Sequence, residues 1–297
     1  MIELQLTLLL LLGAGFLAAK LGILVGEARK KLSDLFINFI LPCNIVNSFL
    51  VDFNADILQR SAGVLVASAL AQVFSLFISK FLYRRSAPGR SAVLQYGTIC
   101  SNAGFMGNPL ALGMFGQEGL LYASVALIPL RFFMWSAGLS LFTKPSRKTL
   151  AKQLATHPCI VAVAVGFVLM VTGFRPPAFV LSAVTAASSC TTAIAMFVIG
   201  AILAEVNLSK GLLDKELFYY SAIRLIFIPG FFMLVLSLIP FPSLSRGVIV
   251  LLYAMPAGST TAMLADKYNG DADFASRCVF VSTVLSMFTL PVWGLFL

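Results

Sequence analysis

The chain is made of apolar runs about twenty residues long, separated only by short polar clusters. Runs of that length constrain the fold more than any motif does. A helix rises about 1.5 Å per residue, so about twenty apolar residues cross the roughly 30 Å hydrocarbon core of a bilayer. The runs lie at roughly 4–25, 32–51, 61–82, 91–115, 119–142, 157–174, 178–204, 216–239, 246–266 and 273–296. Little charge is left to wet a soluble surface: 11% of residues are charged, against about 25% in a soluble domain. The sequence therefore predicts an all-α membrane protein of about ten transmembrane helices, with a lipid bilayer around most of its outside. The first run reads as a span and not as a cleavable leader, because only Glu3, and no Lys or Arg, precedes it and its apolar stretch is too long.

Basic residues orient such a chain, since cytoplasmic connections collect Lys and Arg. The odd connections hold Lys20, Arg29, Lys30, Lys31, Lys80, Arg84, Arg85, Arg90, Lys144, Arg147, Lys148, Lys152, Lys210, Lys215, Lys267 and Arg277; the even ones hold Arg60, Arg175 and Arg246. Odd connections are thus expected in the cytoplasm, giving a multi-pass protein of the cell inner membrane with both termini periplasmic. The net charge of +9 is this bias. The basic clusters are without base-facing aromatics of the kind a nucleic-acid surface needs, so no nucleic-acid partner is expected. Cys43, Cys100, Cys159, Cys190 and Cys278 stand singly in or beside apolar runs and read as packing residues, with neither a metal site nor a disulfide framework.

Five spans per half is an odd number, so a duplicated half would insert upside down. Sliding the sequence by about 152 residues lays Gly104–Pro109 of the fourth run over Pro256–Thr261 of the ninth, and matched interruptions of this kind are a carrier signature. The fourth run contains Ser101-Asn102-Ala103-Gly104-Phe105-Met106-Gly107-Asn108-Pro109, and the ninth contains Met255-Pro256-Ala257-Gly258-Ser259-Thr260-Thr261. Proline removes a helical hydrogen bond, and unwound backbone at bilayer depth is tolerated only where protein buries it or where it lines a wet cavity. The freed N–H groups of a half-helix N-terminus carry partial positive charge and suit a carboxylate. Pro42, Pro129, Pro229 and Pro291 read as plain kinks.

The residues SNAGFMGNPL at 101–110 resemble the fourth-helix motif of the auxin efflux carrier family, which includes bacterial organic-acid permeases. Residues 254–293, with a Met-Pro break and a late Leu-Pro, resemble that family's last two helices; Ala195–Gly200 and Leu41-Pro42 are similar to its seventh and second. The resemblance implies an inverted 5+5 repeat with crossed, broken helices four and nine, similar in fold to bile-acid sodium symporters. It implies halves at 1–142 and 157–297 joined by a cytoplasmic linker at 143–156, a scaffold of spans 1, 2, 6 and 7, a transport unit of spans 3–5 and 8–10, and a homodimer. On it, Asn102 matches a carboxylate-binding asparagine, and Pro109 and Pro256 match the crossing prolines. Asn108 stands where relatives often carry an apolar residue.

Single residues refine the expected site. Arg131 lies mid-run, where an arginine marks either a counter-charge for an anion or a structural tie. Arg224 sits nearer a run's end and either snorkels or pairs. Asn44 and Asn47 share a helix face, turned either to the cavity or to a neighbouring helix. His157 reads as interfacial. No Asp or Glu stands securely mid-membrane, which argues against a cation/proton antiporter. An HExxH motif or a protease-like acidic pair is absent, and Ala257-Gly258-Ser259 has no evident base, so no enzyme is expected.

The expected substrate-binding set is Asn44, Asn47, Asn102, Gly104, Asn108, Pro109, Arg131, Pro256, Gly258, Ser259 and Thr260. The expected function is secondary transport of a small organic anion, malate- or malonate-like at the family level, by alternating access. No cofactor is expected, and sodium or proton coupling stays open. A sensor that binds without transporting, or a sodium-coupled symporter, is the alternative.

Overall fold

The computed structural model describes residues 2–50, 55–143, 152, 155–205 and 214–297, and the chain there is helical between its connections. Lys144, Arg147, Lys148 and Lys210, used above for orientation, and most of the 143–156 connection lie outside the described residues. In chain order the helices are α1 (Ile2–Lys20), α2 (26–48), α3 (Ala55–Leu82) and α4 (Pro88–Ile99). The stretch Ala103–Leu141 follows, divided into α5 (103–115) and α6 (117–141). Next come α7 (Pro158–Thr172), α8 (Ala178–Ala204), α9 (Lys215–Ser237), α10 (Ser243–Tyr253), α11 (Thr260–Lys267) and α12 (Ala272–Gly294).

Among the described residues, five helical stretches are long and apolar enough, by length and composition, to cross a membrane: Ala55–Leu82, Ala103–Leu141, Ala178–Ala204, Lys215–Ser237 and Ala272–Gly294. Three of the other predicted spans fall short for local reasons. α2 opens with the basic cluster Arg29, Lys30 and Lys31, and the fourth and ninth runs are each split in two. The split between α5 and α6 is a tight turn at Gly116, whose φ of 67° and ψ of −158° a side chain would oppose. Large apolar side chains cover the outside, with Phe81, Phe179 and Leu238 each at least 70% exposed, as a lipid-facing belt requires.

Three kinks share one cause. Leu41, Asn108 and Ile228 each donate to the carbonyl five residues back, closing π-turns at Phe36–Ile40, Ala103–Gly107 and Ile223–Phe227. Each donor immediately precedes a proline: Pro42, Pro109 or Pro229. The wider turn gives the proline ring room and lets the helix continue past the missing N–H. In α9 the carbonyl that Pro229 leaves without its partner, Leu225 O, accepts instead from Trp293 Nε1 at 2.8 Å.

This corrects one expectation. The sequence placed the interruption of the fourth run at Gly104–Pro109, but the chain is non-helical earlier, at Cys100–Asn102, and Pro109 sits in the continuing helix α5. The interruption of the ninth run, over Ala254–Ser259, does contain its proline, Pro256.

Packing centres on two neighbourhoods, which share one core and meet where α8 lies against the start of α5. α1 lies along the second half of α8 so closely that a Cβ on Gly200 would overlap the Leu12 carbonyl oxygen, and one on Gly15 would overlap that of Phe197. α2 packs on α7 and α8. The remaining helices pack on one another, α3 against α4, α6 and α10, and α12 against α9 and α11. One end of this second group is tied by Arg90, at the start of α4. It bonds Glu216 at 2.8 Å and Asp214 at 3.0 Å, with Asp271 at 3.9 Å. At the far end of α3, Arg60 pairs with Asp56 at 2.7 Å and approaches Glu118 at 4.0 Å.

Candidate functional site

The two interruptions meet. Asn102 N donates to Pro256 O at 2.8 Å and Gly258 N to Cys100 O at 3.0 Å, so Ser101 and Ala257 pair as a single antiparallel bridge. An unwound strand inside a bundle must satisfy its own polar groups, and here the two unwound strands satisfy each other. Side chains finish the task. Ser101 Oγ donates to Leu252 O at 3.3 Å, and Ala257 N donates to Ser282 Oγ at 3.2 Å. The buried guanidinium of Arg224 donates to Met255 O at 3.0 Å and Thr98 O at 3.2 Å.

Helices α5 and α11 begin directly after this bridge. The first intrahelical bond of α5 runs from Met106 N to Asn102 O, which leaves the N–H groups of Ala103, Gly104 and Phe105 without a carbonyl of their own helix. Asn102 precedes α5 but makes no side-chain capping bond to it, so its amide remains available. Before α11, Gly258, Ser259 and Thr260 form the equivalent edge.

Both edges line one cavity of about 390 Å³. It runs from Lys30 and Asp34, exposed at one end of the bundle, down to the buried Asn102 and Arg131. Arg131, 5% exposed, has its guanidinium in hydrogen-bonding contact with the Cys159 side chain, and its Nη1 is buried without a hydrogen-bond partner among the described residues. His157 shares that wall. It caps α7 by accepting the Cys159 N–H on Nδ1 at 3.3 Å, which places its ring proton on Nε2. The cavity thus brings together a guanidinium with an unmet donor, the positive ends of two helices and a primary amide. A small carboxylate is the ligand such a set suits. Among the described residues no His, Cys, Asp and Glu cluster could hold a metal ion.

Of the residues expected at the site, the cavity is lined by Asn102, Gly104, Arg131, Gly258, Ser259 and Thr260. Pro256 is part of the bridge behind them. Asn108 and Pro109 are fully buried in α5 away from the lining, and neither amide atom of Asn108 has a partner. Asn44 and Asn47 turn to α8: Asn44 Nδ2 donates to Ser188 Oγ at 3.0 Å, and Asn47 Oδ1 accepts from Thr185 Oγ1 at 3.2 Å.

The sequence reading missed Arg29, Ser33, Ile37 and Leu41, which also line the cavity. Their spacing by four is a single stripe of α2, and that periodicity was the available signal. Arg29 is held at the cavity mouth by Glu205, 3.0 Å away at the end of α8.

Comparison with known proteins agrees with a membrane carrier. An uncharacterized transporter of Methanothermobacter thermautotrophicus is 28% identical over 301 residues, spanning 99% of this chain and 98% of its own length. An uncharacterized transporter of Methanocaldococcus jannaschii is 24% identical, over 98% of this chain and 97% of its own. A Rhizobium meliloti protein named "Putative malonate transporter" is 24% identical over 93% of this chain and 89% of its own. The profile described as "Membrane transport protein" matches residues 1–294, and the chain therefore belongs to that family, the auxin efflux carriers.

Proposed function

We propose that the chain carries a small organic anion across the inner membrane by alternating access, with the carboxylate seated at the bridge between the two interrupted helices. The observation that carries this reading is the buried Arg131 with an unmet Nη1 donor, in the wall of the cavity that both helix N-termini face. A buried cation with an unused donor is costly unless something anionic visits it. Asn102 and the N–H groups at Ala103–Phe105 and Ser259–Thr260 hold the carboxylate; Arg131 supplies the counter-charge. The Rhizobium meliloti relative makes malonate the first candidate substrate.

In this reading, α4 with α5 and α10 with α11 are spans four and nine of ten, in two inverted halves. The group α1, α2, α7 and α8 is the scaffold of a homodimer, and the rest moves against it. The close pairing of α1 with α8, and of α2 with α7 and α8, supports this. The cavity opens beside Arg29 and Lys30, which the basic bias puts in the cytoplasm, with both termini in the periplasm. An anion leaving a negative interior gains about 2.3 kcal/mol per elementary charge per 100 mV, so export requires no coupling ion. Import requires sodium, protons or an exchanged anion.

Counterflow in proteoliposomes tests the reading, using radiolabelled malonate and a panel of mono- and dicarboxylates, with and without sodium and a pH gradient. The expected result is uptake of at least one acid that Asn102→Ala abolishes without loss of folded protein. Binding without flux would instead identify a sensor, and wild-type affinity in Asn102→Ala would remove that residue from the site.

A further inference from the structure

Arg224 has no place in the cavity, yet it is the largest fully buried side chain among the described residues, 1% exposed. Its neighbours in charge terms are Tyr83, Cys100, Tyr220 and Tyr253, all neutral at pH 7, and its Cζ lies 5.8 Å from the Tyr253 ring. A buried guanidinium with no carboxylate beside it among the described residues needs another source of negative potential. The bridge provides it. α4 and α10 both end there, and each helix C-terminus carries roughly half a negative charge. Two such ends together balance about one cation. The two bonds go to carbonyls beyond or within these last turns, Thr98 O on one side and Met255 O on the other, so one planar fork spans both chains.

The spacing makes this relevant to the site. α5 starts at Ala103, five residues after Thr98, and α11 starts at Thr260, five residues after Met255. Whatever fixes those two carbonyls fixes the two helix tips that face the cavity.

We infer that Arg224 is a positioning residue of the anion site: a resident cation that clamps the C-terminal ends of α4 and α10 together and thereby sets the placement of the α5 and α11 N-termini. Its role in transport rests on the carboxylate site proposed above; its role as a clamp does not. Lysine replaces it poorly, because a single ammonium on a flexible stem does not reproduce the fork.

Cys100 gives a readout independent of any substrate. It lies inside the bridge, 0% exposed, while Cys159, 1% exposed in the cavity wall on α7 and outside the bridge, reports opening of the protein elsewhere. Purified wild type, Arg224→Lys and Arg224→Gln would be labelled with N-ethylmaleimide, with peptide-resolved mass spectrometry following each cysteine. Affinity for malonate would be measured on the same samples.

Labelling of Cys100 should accelerate about tenfold or more in Arg224→Gln and less in Arg224→Lys, with Cys159 inert in both. Malonate affinity should fall in the same order, by about tenfold in Arg224→Gln. If Arg224→Gln exposes Cys159 too, Arg224→Lys decides: faster Cys100 labelling with Cys159 inert upholds the clamp. Cys100 as inert in the decisive variant as in wild type overturns the clamp. Accelerated Cys100 labelling with unchanged malonate affinity overturns the link to the site while leaving the clamp. Should wild type bind no carboxylate at all, the carrier reading fails and the cysteine result still judges the clamp.

Discussion

Arg131 and Arg224 are the same residue at similar burial, 5% and 1% exposed, and the structure uses them in opposite ways. Arg224 is committed to backbone: its bonds to Met255 O and Thr98 O close the ends of two helices. Arg131 keeps an unmet nitrogen in the wall of a cavity whose other features are helix N-termini. One cation faces the negative ends of α4 and α10, the other shares a chamber with the positive ends of α5 and α11. A buried charge is therefore no indicator of a binding site by itself; what matters is which donors remain after the protein's own carbonyls are served.

The comparison breaks most readily at Arg131→Gln. Removing the counter-charge should weaken malonate binding by about a hundredfold or more, the scale for losing a buried charge-assisted contact. The melting temperature should hold or rise, since a buried unmet donor disappears. Arg224→Gln should do the reverse and lower the melting temperature clearly. Isothermal titration beside thermal unfolding of both variants checks this, and a stability loss in Arg131→Gln matching that of Arg224→Gln would make the two arginines alike.

Arg131→Lys should have a smaller effect, about a tenfold loss of affinity, because the charge survives and the fork does not. Smaller again is His157→Ala on the same wall. Its ring nitrogen caps α7, so the main effect should be on stability, about 1 kcal/mol as for other lost caps. Malonate affinity should fall less than in Arg131→Lys; a larger fall would promote His157 to a direct ligand.

The sequence carried the helical class, the boundary between runs at 115–119 and the break in the ninth run, because run length and glycine–proline chemistry are local properties. It misplaced the fourth-run break because Pro109 looked like the breaker. The π-turn at Ala103–Gly107 absorbs that proline, as the turn before Pro42 does, and the true opening at Cys100–Asn102 is held by Pro256 and Gly258 from another run. The roles of Arg131 and Arg224 were illegible for the same reason. Which carbonyls reach a guanidinium depends on how two chains cross, and no spacing within one run encodes that.

Asn44 and Asn47 give the smallest effect and the sharpest control. Their spacing by three put them on one face of α2, and the sequence left open whether that face met the cavity or a helix. Asn44 reaches Ser188, 144 residues away, and Asn47 reaches Thr185, so the face belongs to the α2–α8 contact. Interhelical polar contacts in membranes are worth about 0.6 kcal/mol on average, with model peptides reaching about 1–2. Asn47→Ala should therefore cost stability on that scale and leave malonate affinity and flux unchanged. Asn44→Ala should cost somewhat less than its bond suggests, because Oδ1 of Asn44 is already buried without a partner and that penalty vanishes with the side chain. Thermal unfolding ranks the pair and binding separates them from Asn102. If either substitution weakens malonate binding as Asn102→Ala does, the α2 face contributes to the site, and the division between donors served by the fold and donors left for a ligand has to be redrawn.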